Sequence, residues 1–346
     1  MKKFNFNLAF ITDKLDNQKT YSLERKDAEG NDSASALNIK KALESLCPKV
    51  IMFDDIEQFS SQLFCIKDHV IFSTRYGEAF RSSKAHVPAI CEANSFSYIG
   101  GDSFVHMLCN DKHLSKMYAR EFGLNVPNGI LIRNPNNDEQ LKYIKTLKLP
   151  LVVKPNYGGG SNGILESNLK NSYDAAIALA KQLYQYQKQP ILIEEYIPGN
   201  EVELILFGNK SEIYLCEETQ LIIDGENYFN NLIWGLEKKK IDDSNVHFSH
   251  SNLIDEETRY CMKKLFQSFD KVEFMRIDCR VYDGKTYVLE LSPDCYLGDD
   301  GGFYYGFEHM GYSYQEMLYL LILNSIYPSE ISAALKKINN EPNSSY

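Results

Sequence analysis

Residues 151–164 read LVVKPNYGGGSNGI: an apolar run ending in Lys154 and Pro155, then four glycines within positions 158–163. Taken letter by letter, Gly158, Gly160 and Gly163 satisfy G-x-G-x-x-G, the dinucleotide fingerprint. That fingerprint needs its third glycine to open into a helix whose N-terminus receives a pyrophosphate. Here Gly163 leads into Ile-Leu-Glu-Ser, apolar and β-like, and helical periodicity resumes only near residue 172. A Walker A loop fails too, because it needs Lys and then Ser or Thr after the last glycine, and residue 164 is Ile. What survives is strand, glycine loop, strand. Such a hairpin can fold over a phosphate chain and donate backbone N–H groups where no side chain intervenes. Lys154 adds a point charge at the strand end. A flexible hairpin with a solvated lysine fits the same letters equally well, so the rest of the chain has to decide.

The chain has 346 residues, 44% hydrophobic and 24% charged, enough for two or three domains with a sizeable core. Formal net charge is -10, and the longest basic tract is Lys238–Lys240. A phosphate-backbone partner leaves a basic face, so nucleic acid is disfavoured. Cysteines 47, 65, 91, 109, 216, 261, 279 and 295 are scattered singly with no C-x-x-C, which points to reduced thiols rather than structural zinc or a disulfide framework. The opening MKKFNFNLAFITD reads as a first strand, its apolar run broken by asparagines, and not as a signal peptide. No apolar stretch approaches the ~20 residues that span a bilayer. The expected setting is cytoplasmic, with no membrane partner.

Apolar strands and helical patterns alternate at first: strands at 6–12, 49–55 and 69–75, helices at 34–46 and 87–96. That order predicts a parallel α/β sheet. Residues 13–33 are polar and aperiodic. A second unit carries a capped helix at 110–123, a strand in VPNGILI, a helix in DEQLKYIKTL, the strand PLVVKP and a helix at 172–187 with Ser172 as N-cap. The third opens with PILIEEYI and EVELILFG across a Pro-Gly-Asn turn, then a long polar segment at 219–255. A helix, TRYCMKKLFQSF, follows, then the strands FMRIDCRVY and KTYVLELS and a closing helix near 313–326. The last fifteen residues are polar and expected to fray. The fold class is α/β (α+β) in three domains: 1–105, 106–190 and 191–330, with a polar tail at 331–346.

Two further stretches carry chemistry. ILIEEYIPGNEVEL sets Glu194, Glu195 and Glu201 around a turn, where carboxylates and backbone groups can meet an adenine amine, a ring nitrogen and ribose hydroxyls; a solvated acidic edge is the ordinary alternative. MRIDCRVYDGKTYVLELSPD places Arg276, Asp278 and Arg280 at spacing two on one strand, so they share a face, with Glu290 and Ser292 likewise on the next. Asp278 opposite Glu290 would repel unless a cation lay between them. Hard oxygen ligands of this kind suit Mg²⁺ bridging phosphates, while Arg–Glu pairing across strands is the plain alternative.

With these motifs in order, the chain resembles the ATP-grasp superfamily, and within it the D-alanine–D-alanine ligases, from about residue 87 to 325. VPAICEANSFSYIGGDSFVHMLCNDKHLSKMYAREFGLNVP is similar to the family's helix, Tyr-x-Gly turn and Asp-Lys helix, and VVKPNYGGGSNGI to its phosphate flap. IEEYIPGNEVEL is similar to its adenine-binding edge and RIDCRVYDGKTYVLELSPD to its metal hairpin. The resemblance implies an ATP-grasp fold with two nucleotide-clasping domains behind an N-terminal α/β domain. It implies phosphate contacts from Lys112 and Lys154, a flap of Gly159, Gly160 and Ser161, an adenine-amine acceptor in Glu194, and backbone adenine contacts at Glu195 and Ile197. Glu201 matches the ribose ligand, and Asp278 and Glu290 match magnesium ligands. Arg276 matches the arginine that stabilises an acyl phosphate, so Arg276 and Lys154 are the expected catalytic pair. The implied reaction attacks the γ-phosphate of ATP with a carboxylate and opens the acyl phosphate with an amine, using Mg²⁺ (or Mn²⁺). A homodimer acting on small-molecule carboxylate and amine substrates is also implied.

The departures bear on the substrate. The family's third metal ligand is usually Asn; here it is Ser292, with Asp294 as a substitute. The segment after it reads DCYLGDDGGFYYGFEHMGYS, SLERKDAEGNDSAS lacks the Glu-x-x-x-Ser element, and RYGEAFRSS replaces the His-Gly stretch. The nucleotide machinery is kept and the D-alanine pocket is not. Arg75, Arg81 and Arg280 are candidates for a substrate carboxylate and Asp299 and Asp300 for an amino acceptor. Phe303, Tyr304 and Tyr305 read first as core packing. Lys238–Lys240, His247 and His250 fall where the family has a covering loop, and read first as a solvated charge run. The function expected is ATP-dependent amide formation between small substrates, amino acids foremost. Two alternatives stay open: a polyamine, thiol or carrier-terminus acceptor, and nucleotide binding without turnover.

Overall fold

The computed structural model describes residues 3–13, 33–78, 80–136, 138–161, 163–233, 235 and 245–340. The polar stretch 14–32, the lysines 238–240 and the end of the tail at 341–346 lie outside the described residues.

The N-terminal sheet is parallel, in the order β2-β1-β3, with β1 at Asn7–Ile11, β2 at Val50–Phe53 and β3 at His69–Ser73. Leu8 to Ile11 of the central strand are all buried. Both faces of β1 are covered, so it is a continuous apolar run and not an alternating one. Helices α2 (Ile56–Ser61) and α3 (His86–Asn94) cover one face through Phe59, Val87 and Cys91. Helix α1 (Ser33–Leu46) lies on the other, in a core that also draws on residues from the far end of the chain.

The second sheet is antiparallel, in the order β4-β7-β5-β6: β4 Gly129–Ile132, β5 Leu151–Pro155, β6 Leu169–Lys170, β7 Ile191–Glu195. Helix α7 (Tyr173–Gln187) starts at Ser172, whose side chain accepts from the Ala175 N–H at 3.3 Å. It buries Ala176, Leu179, Ala180 and Leu183 on Leu151, Val153, Ile191 and Ile193. Two expectations are corrected here. DEQLKYIKTL is one turn of helix, α6 (Asp138–Leu141), continued as a 3₁₀ turn over 142–146. The β-like run after Gly163 is not a strand. The loop returns through a 3₁₀ turn at Glu166–Asn168, held where Asn168 donates to the Val153 and Gly163 carbonyls at 2.6 and 2.8 Å. Only Leu169 and Lys170 pair with β5. Strand β7 bonds into this sheet, so the chain changes sheets past 195, beyond the expected boundary at 190.

Helices α4 (Ser103–Asn110) and α5 (Lys112–Glu121) connect the first sheet to the second but pack on a third. That sheet has six strands in the order β11-β9-β8-β12-β13, with β10 also paired to β8. Their ranges are β8 Gly199–Gly208, β9 Ile213–Ile223, β10 Tyr228–Phe229, β11 Val246–His250, β12 Phe274–Tyr282 and β13 Lys285–Ser292. Within the expected polar segment 219–255, residues 219–223, 228–229 and 246–250 are therefore strand. Asp283 and Gly284, with φ of 50° and 70°, make the two-residue turn between β12 and β13. Helix α8 (Glu256–Gln267) packs with α4 and α5 against Leu204, Met275, Ile277 and Leu291 on one face. On the other lie α9 (Gly302–His309) and α10 (Tyr314–Ile326), started by a Ser313–Glu316 capping box. The tail, expected to fray, forms α11 (Ile331–Asn340), with Ile331 fully buried. Phe303 and Phe307 of α9 are fully buried, with their rings against Phe274 of β12 and Phe207 of β8.

Candidate active site

The site has two walls. One is built where α5 meets β5. Asp111 caps α5 by accepting from the Leu114 N–H at 3.1 Å and also accepts from Asn156 Nδ2 at 2.8 Å. The free N–H groups of the first helical turn go to Asn156 as well: Lys112 N to its carbonyl at 3.0 Å and His113 N to Oδ1 at 3.0 Å. One asparagine thus bolts the helix start to the end of β5. This sets Lys112 and Lys116, one helical turn apart, beside Lys154.

Glu194 on β7 lies between these cations. Its Oε2 is 2.7 Å from Lys154 Nζ and its Oε1 accepts from Lys116 Nζ. All three side chains are buried. Space for Glu194 comes from Gly129 on β4, where a Cβ would stand 2.8 Å from Glu194 Cγ. Burial, then the neighbouring Lys154 charge, pushes Lys116 down to about 7. Burial pulls Lys154 down too, but the Glu194 carboxylate outweighs it and holds Lys154 above its ordinary value. Burial would raise Glu194; the two lysines overcome that and keep it ionised. Both oxygens of Glu194 are paired with lysines, which fixes the carboxylate at the centre of this wall.

The glycine loop lies down on this wall. Gly158 donates to Asn110 Oδ1 at 2.9 Å, and its carbonyl accepts from Lys112 Nζ. Gly159 and Ser161 are buried and Gly160 half-buried. Gly160 and Ser161 have φ of 58° and 63°. The left-handed region costs a non-glycine residue such as Ser161 about 1–2 kcal/mol.

The second wall is the β12–β13 hairpin. Its register sets Asp278 opposite Glu290 and Arg276 opposite Ser292, on the face away from α8. Arg276 grips Asp278 with two bonds, Nε to Oδ1 at 2.6 Å and Nη2 to Oδ2 at 2.8 Å, and lies 3.5 Å from Glu203 on β8. Glu290 is 3.3 Å from Lys112, so this contact joins the two walls. Burial would raise the Glu290 pKa, but Lys112, Lys84, Lys154 and Arg276 hold it down to about 2. An ionised carboxylate facing Asp278, with the Ser292 hydroxyl two residues on, is a hard-oxygen donor set that fits Mg²⁺.

The remaining expected residues fall elsewhere. Asp294, the expected substitute for Ser292, gives its carboxylate to Lys84 at 2.6 Å. Arg280 is only 3% exposed. Its guanidinium donates to Glu201 Oε2 at 2.7 and 3.1 Å, to the Leu232 carbonyl at 2.9 Å and to the Tyr196 hydroxyl at 3.2 Å. The fork is filled by protein, so Arg280 is not a substrate clamp, and the Glu201 carboxylate expected on a ribose is its partner. Glu195 accepts from the Lys148 N–H at 2.9 Å and from Asn128 at 3.1 Å, and Ile197 is half-buried in the β7–β8 connection. Asp299 and Asp300 are exposed, accepting from Asn38 at 2.7 Å and the Tyr296 hydroxyl at 2.8 Å. Arg81, also exposed, pairs with Asp111 at 3.2 Å.

Arg75 lines a cavity of about 20 Å³, shared with Lys84, His106, Tyr98 and Asp294, room for a water or two. Asp13 fixes the backbone beside it, accepting from the Tyr76 and Gly77 N–H groups at 2.9 and 2.8 Å. Sequence reasoning missed Lys116, Lys84, His106 and Glu203. Lys116 was open to discovery, four residues after Lys112 on one helix face, and Glu203 stands two residues beyond Glu201 on one strand. Nothing in the sequence marks Lys84, which sits in a 3₁₀ turn.

The two antiparallel sheets with a buried lysine–carboxylate network between them define the ATP-grasp fold. Solved structures share it: a D-alanine–D-alanine ligase from Bacillus anthracis complexed with ATP superposes with a TM-score of 0.67 at 17% identity, over 97% of this chain and 100% of that one. The VanG D-Ala:D-Ser ligase of Enterococcus faecalis does so at 0.65 and 18%, over 92% and 99%. The model of the family described as "D-ala D-ala ligase C-terminus" matches residues 118–323, and the chain belongs to that family. In sequence it is 29% identical over 212 residues to the D-alanine–D-alanine ligase of Helicobacter acinonychis, covering 59% of this chain and 57% of that protein. It is 26% identical over 242 residues to an uncharacterised protein of Sinorhizobium fredii, covering 67% of each.

Proposed function

We propose that the protein is an ATP-dependent carboxylate–amine ligase. It would join two small substrates, amino acids foremost, by an amide bond through an acyl phosphate, releasing ADP and phosphate. The observation that carries the reading is the Lys112–Glu290 contact at 3.3 Å, which sets a lysine-rich wall against the carboxylate hairpin. Relatives named as D-alanine–D-alanine ligases support the reaction class.

Lys112 and Lys154 supply positive charge to the phosphates, and the loop 158–161 supplies backbone N–H groups above them. Asp278, Glu290 and Ser292 are the residues that would hold Mg²⁺, which offsets phosphate charge when bound. Arg276 is pre-aligned by Asp278 and Glu203, so it reaches the transferring phosphoryl group without reorganising. Glu194 keeps Lys154 protonated for that task. Eight free thiols support a reducing, cytoplasmic setting, and among the described residues no helix is long and apolar enough to cross a membrane.

The test is purified protein with ATP, Mg²⁺ and pairs drawn from an amino-acid panel, followed by ADP release and product mass. The expected result is ADP release that needs both substrates, with a product lighter than their sum by one water. Tight ATP binding with no ADP from any pair would overturn the proposal.

A further inference from the structure

Away from the two walls, three residues from three elements converge on the outer part of the six-stranded sheet. Glu217 stands on β9, His250 ends β11 and His309 ends α9. Strand β8 separates them from the Asp278 strand. His309 Nδ1 is 3.1 Å from Glu217 Oε2, and His250 Nδ1 is 3.7 Å from that same oxygen. The two imidazoles stack with centroids 4.0 Å apart and planes within 6°. One ligand atom from each of the three residues lies within 4.8 Å of the others.

We propose that Glu217, His250 and His309 form a binding site for one Zn²⁺ ion that clamps the end of α9 to the sheet. Zinc–nitrogen and zinc–oxygen bonds of about 2.0–2.2 Å put the ligand atoms of a tetrahedral site roughly 3.3 Å apart. The observed 3.1 and 3.7 Å bracket that spacing for the two histidine–carboxylate pairs; the imidazoles, parallel as they stand, turn to converge on the ion. Two imidazole nitrogens select a borderline metal over Mg²⁺, which takes oxygen ligands. Three protein ligands leave the fourth position to water. Gly306, one turn before His309, keeps the helix low: a Cβ there would stand 3.0 Å from Ile205 Cγ1 and 3.5 Å from Glu217 Cβ. At the other end of α9 a Cβ on Gly302 would meet Glu203 Oε2 at 2.0 Å. Glu203 is the residue beside Arg276, so the ion fixes the helix that packs on Arg276's neighbour.

The test is zinc chloride titrated into full-length, chelator-stripped protein against a chromophoric zinc chelator, with excess Mg²⁺ and no ATP. Wild type is expected to take up one equivalent, and to melt at a higher temperature with zinc than without. The His250→Ala/His309→Ala variant and Glu217→Gln should each bind at least tenfold more weakly and lose the zinc-dependent rise in melting temperature. Asp278→Asn should retain the equivalent. His250 and His309 are 46% and 38% exposed, so their removal spares the core, and circular dichroism reports the fold directly. No equivalent in wild type, or an equivalent that survives the histidine variant, overturns the proposal: the trio is then a hydrogen-bonded imidazole–carboxylate cluster. Neither result depends on ligase activity.

Discussion

Lys116→Met tests whether one buried carboxylate serves two lysines. In the folded protein Lys116 gives up its proton near 7, against 10.5 for an ordinary lysine. Below pH 7 both the folded and unfolded chains hold that proton, and the cost of burying it is present in full. Between pH 7 and 10.5 the unfolded chain holds one proton more than the folded one, so stability climbs with pH; above 10.5 the cost is gone. Each pH unit inside the window contributes about 1.4 kcal/mol. From pH 7 to pH 9 the residue therefore contributes on the order of 2–3 kcal/mol. Methionine removes the titration yet leaves Glu194 paired with Lys154 at 2.7 Å, so no carboxylate is stranded. Urea unfolding from pH 6 to pH 9, on both proteins in the same buffers, cancels the titrating groups that lie away from Lys116. The variant should match or exceed wild type at pH 6, and between pH 6 and pH 9 it should lose that amount relative to wild type. A stability difference that stays flat from pH 7 to pH 9 refutes the reasoning.

Arg280→Met should strand the Glu201 carboxylate and cost about 3–5 kcal/mol, read as a lower melting temperature, with KM for both substrates unchanged; a raised KM in a fully stable variant would restore Arg280 as a substrate residue. Ser292→Asn should lower the Mg²⁺ concentration needed for half-maximal ADP release. Asp294→Asn should leave that concentration alone and lower the melting temperature, because it takes the partner from Lys84; the reverse pattern would make Asp294 the metal ligand.

Periodicity carried much of the site into view. Arg276 and Asp278 share a face because strands alternate, while Glu290 comes opposite Asp278 through a register shift between Asp278 and Cys279 that the Asp-Gly turn alone does not set. Where the reading failed, the decisive partner was distant in sequence. Arg280 looks like a free cation on its strand, and only the fold brings Glu201, Tyr196 and Leu232 around it. Lys84 and Asp294 are brought together by tertiary packing alone. The strand expected after Gly163 was lost to Asn168, whose side chain takes two carbonyls that a longer ladder would have left to backbone. Helix α9 escaped notice because Gly301, Gly302 and Gly306 depress its helical signal; two of those glycines let it lie close on the sheet.

The core shared by β1, β3 and α10 has a consequence for how the chain comes to be folded. Leu8, Phe10 and Phe72 of the N-terminal sheet pack with Met317, Leu318 and Leu321 of α10, and Tyr327 reaches back 322 positions to Asn5. During synthesis the first strands are made early, and the helix that covers them comes only after both nucleotide-clasping sheets. One face of the first sheet must therefore be covered by α1 alone, and so only in part, while the rest of the protein is built. Contacts this far apart in the chain form slowly, and an uncovered apolar face is prone to aggregation in the meantime. Helices α10 and α11 are thus the closing step of this core, and a chain halted before residue 314 would leave its first strands with only α1 on that face.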